Sequence, residues 1–135
     1  MKVFITACGE GLGHTARMLA LEDELKRQGH RAVLAGYGKS LEVMKSAGAK
    51  TFETFPELHM AGSAGSFNLA TSIAKSYGTP LDILRAYLRE KSQIGKMRAD
   101  AVVSDSRLST VIAGSVSGIP TFYVTNQSTF RLSQP

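Results

Sequence analysis

A glycine-rich turn between an apolar run and a helical pattern constrains the fold of this chain more than any other feature. Residues Val3–Ile5 form the apolar run, residues 6–14 read T-A-C-G-E-G-L-G-H, and a helical pattern starts at Thr15. A strand that enters a helix through glycines leaves backbone N–H groups unpaired at the positive end of the helix dipole. The turn therefore predicts a site for a phosphate or another polar group, with His14 at its edge.

The spacing of the glycines separates several kinds of turn. A dinucleotide fingerprint, G-x-G-x-x-G/A, fits at Gly9 and Gly11, but its third glycine position holds His14 and no acidic residue ends the second strand. A P-loop, G-x-x-x-x-G-K-[ST], would require glycine in place of Cys8 and lysine in place of His14. A plain tight turn with a capping histidine is the alternative. Three glycines, Gly9, Gly11 and Gly13, make it less favoured, because a tight turn needs only one.

Strand and helix patterns alternate along the whole chain. The predicted strands are Lys2–Ala7, Arg31–Ala35, Lys50–Phe55, Ala101–Ser104 and Pro120–Thr125. The predicted helices are Thr15–Gln28, Ser40–Ala47, Ala70–Tyr77, a long helix that opens at Thr79-Pro80, and Thr110–Ser117, with a loop over residues 57–68. This alternation predicts a Rossmann-like three-layer α/β/α domain around a parallel sheet, with a strand order near 3-2-1-4-5.

Three polar clusters follow the carboxyl ends of predicted strands. They are the glycine turn, Ser104–Ser106 and Thr125–Gln127. Ligands of parallel α/β sheets bind at this edge, where the strand order reverses. An imidazole beside a carboxylate is a general-base pair, so His14 and Asp105 are the predicted catalytic residues. For Asp105, capping of the next helix is the alternative.

Composition narrows the class of protein. The chain has 135 residues, of which 43% are hydrophobic and 20% charged, so we expect one globular domain. The single cysteine, Cys8, excludes a disulfide framework and a cysteine metal cluster, and it is either a nucleophile or a buried apolar residue. The three histidines lie on separate elements, which predicts no metal site. With no membrane-spanning stretch and no signal peptide in the pattern, we expect a cytoplasmic protein.

Most of the net charge of +5 lies on one predicted helix. The segment Arg85–Arg98 contains five basic residues and one acidic residue, Glu90. Such a charge pattern is typical either of a helix that contacts an anionic membrane surface or of a helix with a face exposed to solvent. Aromatic residues are few and no nucleic-acid-binding motif is present, so we expect no nucleic acid partner.

The sequence resembles the opening of GT-B glycosyltransferases. The residues that carry the resemblance are G-E-G-L-G-H followed by R-M-L-A-L-E-D-E-L-K-R-Q-G-H-R-A-V-L-A-G, and later A-D-A-V-V-S-D and A-G-S-V-S-G-I-P-T-F-Y-V-T-N-Q. They are most similar to the family of the enzyme that adds N-acetylglucosamine to the peptidoglycan lipid precursor. That enzyme has a similar glycine turn ending in histidine.

The resemblance implies roles for individual residues. His14 matches the general base or acceptor contact of many GT-B enzymes, and Asp105 matches the acid that pairs with this histidine. The residues expected to bind the acceptor or a phosphate are Gly9, Glu10, Gly11, Gly13, Asn126 and Gln127. Glu10 departs from the family, which has a small residue there.

The resemblance also implies an organisation in two domains. Residues 1–135 would be the N-terminal, acceptor-side domain, and the C-terminal domain that binds the sugar nucleotide would lie outside the chain. The expected donor is a UDP-linked hexose-type sugar, held by that domain or by a partner subunit, and no other cofactor is expected. The acceptor would be a small molecule or lipid-linked, and this chain alone would not transfer sugar. Half of a sugar-nucleotide epimerase, or a non-catalytic anchoring subunit, are the alternatives.

Overall fold

The computed structural model describes residues 1–9, 11–57, 62–63, 66–67 and 79–124. The strands are β1 Lys2–Ala7, β2 Arg31–Gly36, β3 Thr51–Glu53, β4 Gly62–Ser63, β5 Ser66–Phe67, β6 Ala101–Asp105 and β7 Thr121–Val124. The helices are α1 Leu12–Arg27, α2 Gly38–Ser46, α3 Thr79–Met97 and α4 Leu108–Val116. In the described ranges no helix is long and apolar enough to cross a membrane.

Five of the strands form a parallel sheet in the order β3-β2-β1-β6-β7. This order confirms the predicted 3-2-1-4-5, because β6 and β7 are the fourth and fifth strands of the predicted sheet. Ala7 pairs with Asp105, so the last residues of β1 and β6 lie side by side where the strand order reverses. The predicted loop contains the antiparallel pair β4–β5, and the predicted helix Ala70–Tyr77 lies outside the described residues.

Apolar residues pack on both faces of the sheet, as the near-continuous apolar strands predict. On one face, side chains of β1 and β2 pack against Met18 of α1 and Met44 of α2. On the other face, Phe4 and Val102 pack with Ile94 of α3 and Ala113 of α4. The helical spacing of Met18, Leu21 and Leu25 predicts a stripe that faces the core. Met18 is buried, and Leu21 and Leu25 pack against the same core. That stripe is confirmed.

The apolar residues of α3 at helical spacing predict a stripe that faces the core, and this prediction is wrong for three of its members. The predicted members are Leu81, Leu84, Tyr87, Leu88, Ile94 and Met97. Leu81, Leu84 and Leu88 are 55%, 48% and 55% exposed. The face that packs on the sheet instead carries Ala86, Glu90 and Ile94, each fully buried. Glu90 points inward, where it forms an ion pair with Arg107. The three leucines therefore lie on the exposed side of the helix.

Two element boundaries matter for the site. α1 begins at Leu12, with Gly11 as the N-cap residue, so His14 lies inside the first helical turn rather than before the helix. β6 extends through Asp105, which makes the carboxylate part of the sheet edge. α4 begins at Leu108, before the predicted start, because Glu57 accepts hydrogen bonds from the first backbone N–H groups of the helix.

Candidate active site

The structure brings His14 and Asp105 together at the carboxyl edge of the sheet. His14 Nδ1 lies 2.8 Å from Asp105 Oδ1, although the residues are 91 positions apart. Asp105 is fully buried, whereas the His14 side chain is 19% exposed. Because an ionised carboxylate only accepts hydrogen bonds, we assign the proton to Nδ1, which leaves Nε2 as the acceptor nitrogen of the ring. An imidazole in this tautomer can accept a proton from a bound hydroxyl group.

Arg17 is a third member of this cluster, and sequence reasoning missed it. Its Nε donates to Asp105 Oδ2 at 2.9 Å, and its Nη2 donates to Asp105 Oδ1 at 2.8 Å. Arg17 Nη2 and His14 Nδ1 both contact Asp105 Oδ1, so the guanidinium and the imidazole share one carboxylate oxygen. The two nitrogen atoms lie 3.2 Å apart. The hydrogen bond to Asp105 raises the pKa of Arg17 above its ordinary value, against the opposing effect of burial.

A signal for Arg17 was present in the sequence. Residues three apart on a helix lie on the same face, which places Arg17 beside His14. A half-buried guanidinium is stabilised by a carboxylate partner. No acidic residue lies in the first turn of α1, and the partner therefore comes from another element. Asp105 at the end of β6 fills that requirement.

The glycines of the turn have different structural roles. A Cβ atom on Gly9 would lie 2.6 Å from the ring of Tyr37, so a larger residue at this position would require the ring to move. A Cβ on Gly11 would lie 3.5 Å from His14 Cδ2, an ordinary contact, and one on Gly13 would meet nothing within 4 Å. Among the described residues no side chain caps α1. Its first N–H groups therefore remain available to an anion.

Other predicted site residues have mixed outcomes. Glu10, Asn126 and Gln127 lie outside the described residues. Asp105 does not cap the helix that follows it, because Glu57 holds the N–H groups of Leu108 and Ser109 through its two carboxylate oxygens. The side chain of Cys8 is buried at the end of β1. In the ranges described, no three His, Cys, Asp or Glu side chains are grouped to hold a metal ion.

A buried polar network supports the turn after Asp105. Arg107 Nη2 donates to Glu90 Oε1 at 2.6 Å and to the carbonyl oxygen of Phe55 at 2.9 Å. Glu90 also accepts hydrogen bonds from Thr54 at 2.7 Å and from Thr110 at 2.8 Å. The intervening residue, Ser106, has a left-handed φ of 62°. The network thus connects α3, the residues that follow β3 and the start of α4.

Sequence comparison identifies relatives over nearly the whole chain. No protein-family model matches it. A protein of Methanosarcina mazei, named an uncharacterized glycosyltransferase, is 37% identical over 134 residues that cover 95% of this chain and 33% of the relative. A protein of Methanosarcina acetivorans with the same name is 38% identical over 136 residues, with the same coverage. The chain therefore spans about a third of the length of the curated relatives that it matches.

Solved structures with the same fold are also glycosyltransferases. The glycosyltransferase SsfS6 of Streptomyces sp. SF2575 matches with a TM-score of 0.69 and 20% identity, over 93% of this chain and 39% of that one. MurG of Acinetobacter baumannii matches with a TM-score of 0.65 and 20% identity, over 92% of this chain and 34% of that one. The chain is thus related in sequence to glycosyltransferases, and its fold is that of the N-terminal part of GT-B glycosyltransferases.

Proposed function

We propose that this chain is the acceptor-side domain of an inverting, metal-independent glycosyltransferase. The enzyme would move a hexose-type sugar from a nucleotide sugar to an acceptor hydroxyl group. The observation that carries the proposal is the pair of His14 and Asp105, 2.8 Å apart at the N-terminus of α1. The glycosyltransferase relatives support the reaction class.

His14 would act as the general base. Its Nε2 accepts the proton of the acceptor hydroxyl while that oxygen forms a bond to the anomeric carbon. The bond between the anomeric carbon and the donor phosphate breaks, and its electron pair leaves with the nucleoside diphosphate. Asp105 stabilises the imidazolium that results, because its carboxylate already accepts the hydrogen of Nδ1.

Arg17 is best explained as a positioning residue. Its two hydrogen bonds fix both oxygens of Asp105, so the carboxylate cannot rotate away from His14. The result is a rigid pair in which the ring is held with Nε2 outward from the carboxylate.

The glycine turn would hold an anionic group of the substrate. The free N–H groups at the start of α1 suit an oxyanion or phosphate, and Gly9, Gly11 and Gly13 border them. Glu10, Asn126 and Gln127 would contact the acceptor. Their assignment rests on the sequence resemblance.

The donor would bind to a second domain or partner subunit. Two of the similar solved structures, SsfS6 and the spinosyn rhamnosyltransferase SpnG, are complexes with thymidine diphosphate, which supports a nucleoside diphosphate sugar. The matched relatives are about three times as long as the aligned segment, which supports a donor-binding half beyond it. We therefore expect no sugar transfer by residues 1–135 alone, and we expect a UDP-linked donor in the complete enzyme.

The decisive experiment replaces His14 in the complete enzyme. We expect His14→Ala to lower kcat by about 10²-fold while the protein remains folded, since a positioned base contributes about 10²–10⁴. His30→Ala, at the opposite edge of the sheet, is the matched control and should leave kcat unchanged. A panel of UDP- and thymidine-diphosphate sugars, with the product anomer determined by NMR, tests the donor and the inversion. Unchanged kcat in His14→Ala, or interconversion of sugar nucleotides without an acceptor, would refute the proposed reaction.

The acceptor would be a small molecule or lipid-linked, and α3 would contact the membrane that carries a lipid-linked one. Its three exposed leucines, Leu81, Leu84 and Leu88, lie on the segment that also holds the basic cluster Arg85–Arg98. Arg89 stacks over the rings of Phe52 at 4.7 Å and Phe55 at 5.5 Å, which fixes part of this face to the sheet. Exposed apolar side chains between cations are the composition that binds the interface of an anionic bilayer.

Co-sedimentation with anionic vesicles tests the membrane contact. We expect salt-sensitive binding that Leu84→Gln/Leu88→Gln abolishes. Leu108→Gln/Val116→Gln removes two comparably exposed apolar side chains from α4 and serves as the control. Equal binding of both double variants would show that α3 is only a solvated face.

A further inference from the structure

A second cationic region lies at the edge of the sheet opposite the candidate active site. It is a cleft of about 400 Å³ lined by five basic side chains, which we call the basic cleft. Those side chains are Lys2, Lys26, Arg31, Lys50 and Lys96. They come from five different places in the fold: the starts of β1 and β2, the residue before β3, and the last turns of α1 and α3.

Helix dipoles explain only part of this charge. Lys26 and Lys96 lie in the last turns of their helices, where a cation is stabilised by the negative end of the dipole. Lys26 is also paired with Glu22 at 2.8 Å, and this hydrogen bond raises the pKa of Lys26 above its ordinary value. The other three cations lie at the start of a strand or just before one, where there is no helix dipole to attract them.

The lining of the basic cleft contains no acidic residue. Two carboxylates lie beside it: Glu22 pairs with Lys26, and Asp100 accepts the backbone N–H of Lys2 at 2.7 Å. Within the part of the chain that the structure describes, Lys2, Arg31 and Lys50 form no ion pair with a carboxylate. Like charges gathered without a partner repel one another, and an anion that bound between them would relieve that repulsion.

The shape of the basic cleft suits a small ligand. Its volume falls within the range of about 300–1,000 Å³ that is typical of small-molecule sites. Ala32 and Val33 are buried and Met97 is half-buried, so the lining includes an apolar surface beside the cations. We propose that the basic cleft binds a small anion carrying two or more phosphate groups. Because it lies at the opposite edge of the sheet from His14, such a ligand would leave the candidate active site open.

Inorganic pyrophosphate is the probe for this proposal. We expect it to bind the 135-residue chain saturably, with the largest ¹H–¹⁵N shifts at the amides of Lys2, Arg31 and Lys50. Raising the salt concentration from about 50 to about 200 mM should weaken binding several-fold, since the attraction is between exposed charges. Lys2→Gln/Lys50→Gln should lower the affinity about tenfold, equivalent to about 1.4 kcal/mol.

Two controls make the outcome specific. Lys39→Gln/Lys45→Gln removes the same charge from α2, outside the cleft, and should leave the affinity unchanged. Vesicles of cardiolipin, a lipid with two phosphate groups, identify the source of the phosphate. If pyrophosphate displaces the chain from these vesicles and Lys2→Gln/Lys50→Gln abolishes that binding, the ligand is a lipid headgroup. Binding of pyrophosphate without vesicle binding through these lysines identifies a free anion. Non-saturable binding, equal losses in both double variants, or shifts confined to residues 11–14 would overturn the proposal.

Discussion

The ion pair between Glu90 and Arg107 should be the most sensitive point of the fold. Both side chains are essentially buried, at 0% and 2% exposure, and their charged atoms are 2.6 Å apart. Removing one partner of a buried pair costs about 3–5 kcal/mol, because the other charge remains desolvated. Arg107→Met also leaves the carbonyl oxygen of Phe55 without the donor that it has now. A domain has only about 5–15 kcal/mol of stability, so this change removes a large part of it.

Urea unfolding followed by circular dichroism measures the effect. With a loss of about 4 kcal/mol and an m-value of about 2 kcal/mol/M, the midpoint should fall by about 2 M. Glu90→Gln keeps the shape of the side chain and one acceptor oxygen, but it leaves the buried guanidinium of Arg107 without a carboxylate. It should therefore lower the free energy of unfolding by about 3 kcal/mol. The double variant, Glu90→Gln/Arg107→Met, contains neither buried charge. Its cost should therefore fall below the sum of the single costs by about 2 kcal/mol or more.

An exposed ion pair provides the control. Lys39 and Glu42 lie 3.4 Å apart, with 72% and 71% of their side chains exposed. Lys39→Gln should change stability by less than about 0.5 kcal/mol, because exposed pairs are screened by solvent. A cost below about 1 kcal/mol for Arg107→Met, or strictly additive costs in the cycle, would refute the inference that the buried pair governs stability.

Further predictions concern close contacts and the site. Gly9→Ala should destabilise the chain by about 1–3 kcal/mol, because its Cβ would lie 2.6 Å from the Tyr37 ring, whereas Gly13→Ala should be neutral or stabilising by up to about 1 kcal/mol in urea unfolding. Gly114→Ala should lower the thermal midpoint, because its Cβ would lie 2.2 Å from Thr121 Oγ1, and Gly95→Ala, which meets nothing within 4 Å, should not. In the complete enzyme, Arg17→Gln should lower kcat about tenfold or more with little change in KM. Arg17→Lys cannot make both hydrogen bonds to Asp105, so it should restore only part of the rate. A change confined to KM would show that Arg17 binds substrate instead.

The sheet could be predicted from the sequence because its signals are local. Short apolar runs alternate with helical patterns, and right-handed crossovers then leave few possible strand orders. The pairing of His14 with Asp105 followed from that topology, since both residues were placed at the carboxyl edge where the strand order reverses. The sequence pattern predicts the start of α1 at Thr15, which is too late. Glycines at positions 11 and 13 disfavour a helix locally, but α1 begins at Leu12, with Gly11 as its N-cap residue.

The inward face of α3 could not be predicted in the same way. A glutamate among leucines is assigned to solvent by any hydrophobic pattern, since a buried carboxylate is stable only with a partner. That partner, Arg107, is 17 positions further on, immediately before α4, and the hydroxyl donors of Glu90 come from two separate segments, Thr54 after β3 and Ser109 and Thr110 in α4. Arg17 was overlooked for a related reason, because its role depends on Asp105, which is 88 positions away.

The cap that Glu57 forms on α4 has a consequence for how the length of this chain can vary. Glu57 is held by the N–H groups of Leu108 and Ser109, and Glu90 of α3 accepts the hydroxyl hydrogen bond of Thr110 in the same helix. The chain on either side of residues 58–78 is therefore fastened to one helix end. The entropy of closing a loop between fixed ends rises by only about 0.6 kcal/mol for each doubling of its length. A change in the number of residues between Glu57 and α3 should therefore leave Asp105 in place as long as both attachments to α4 are kept.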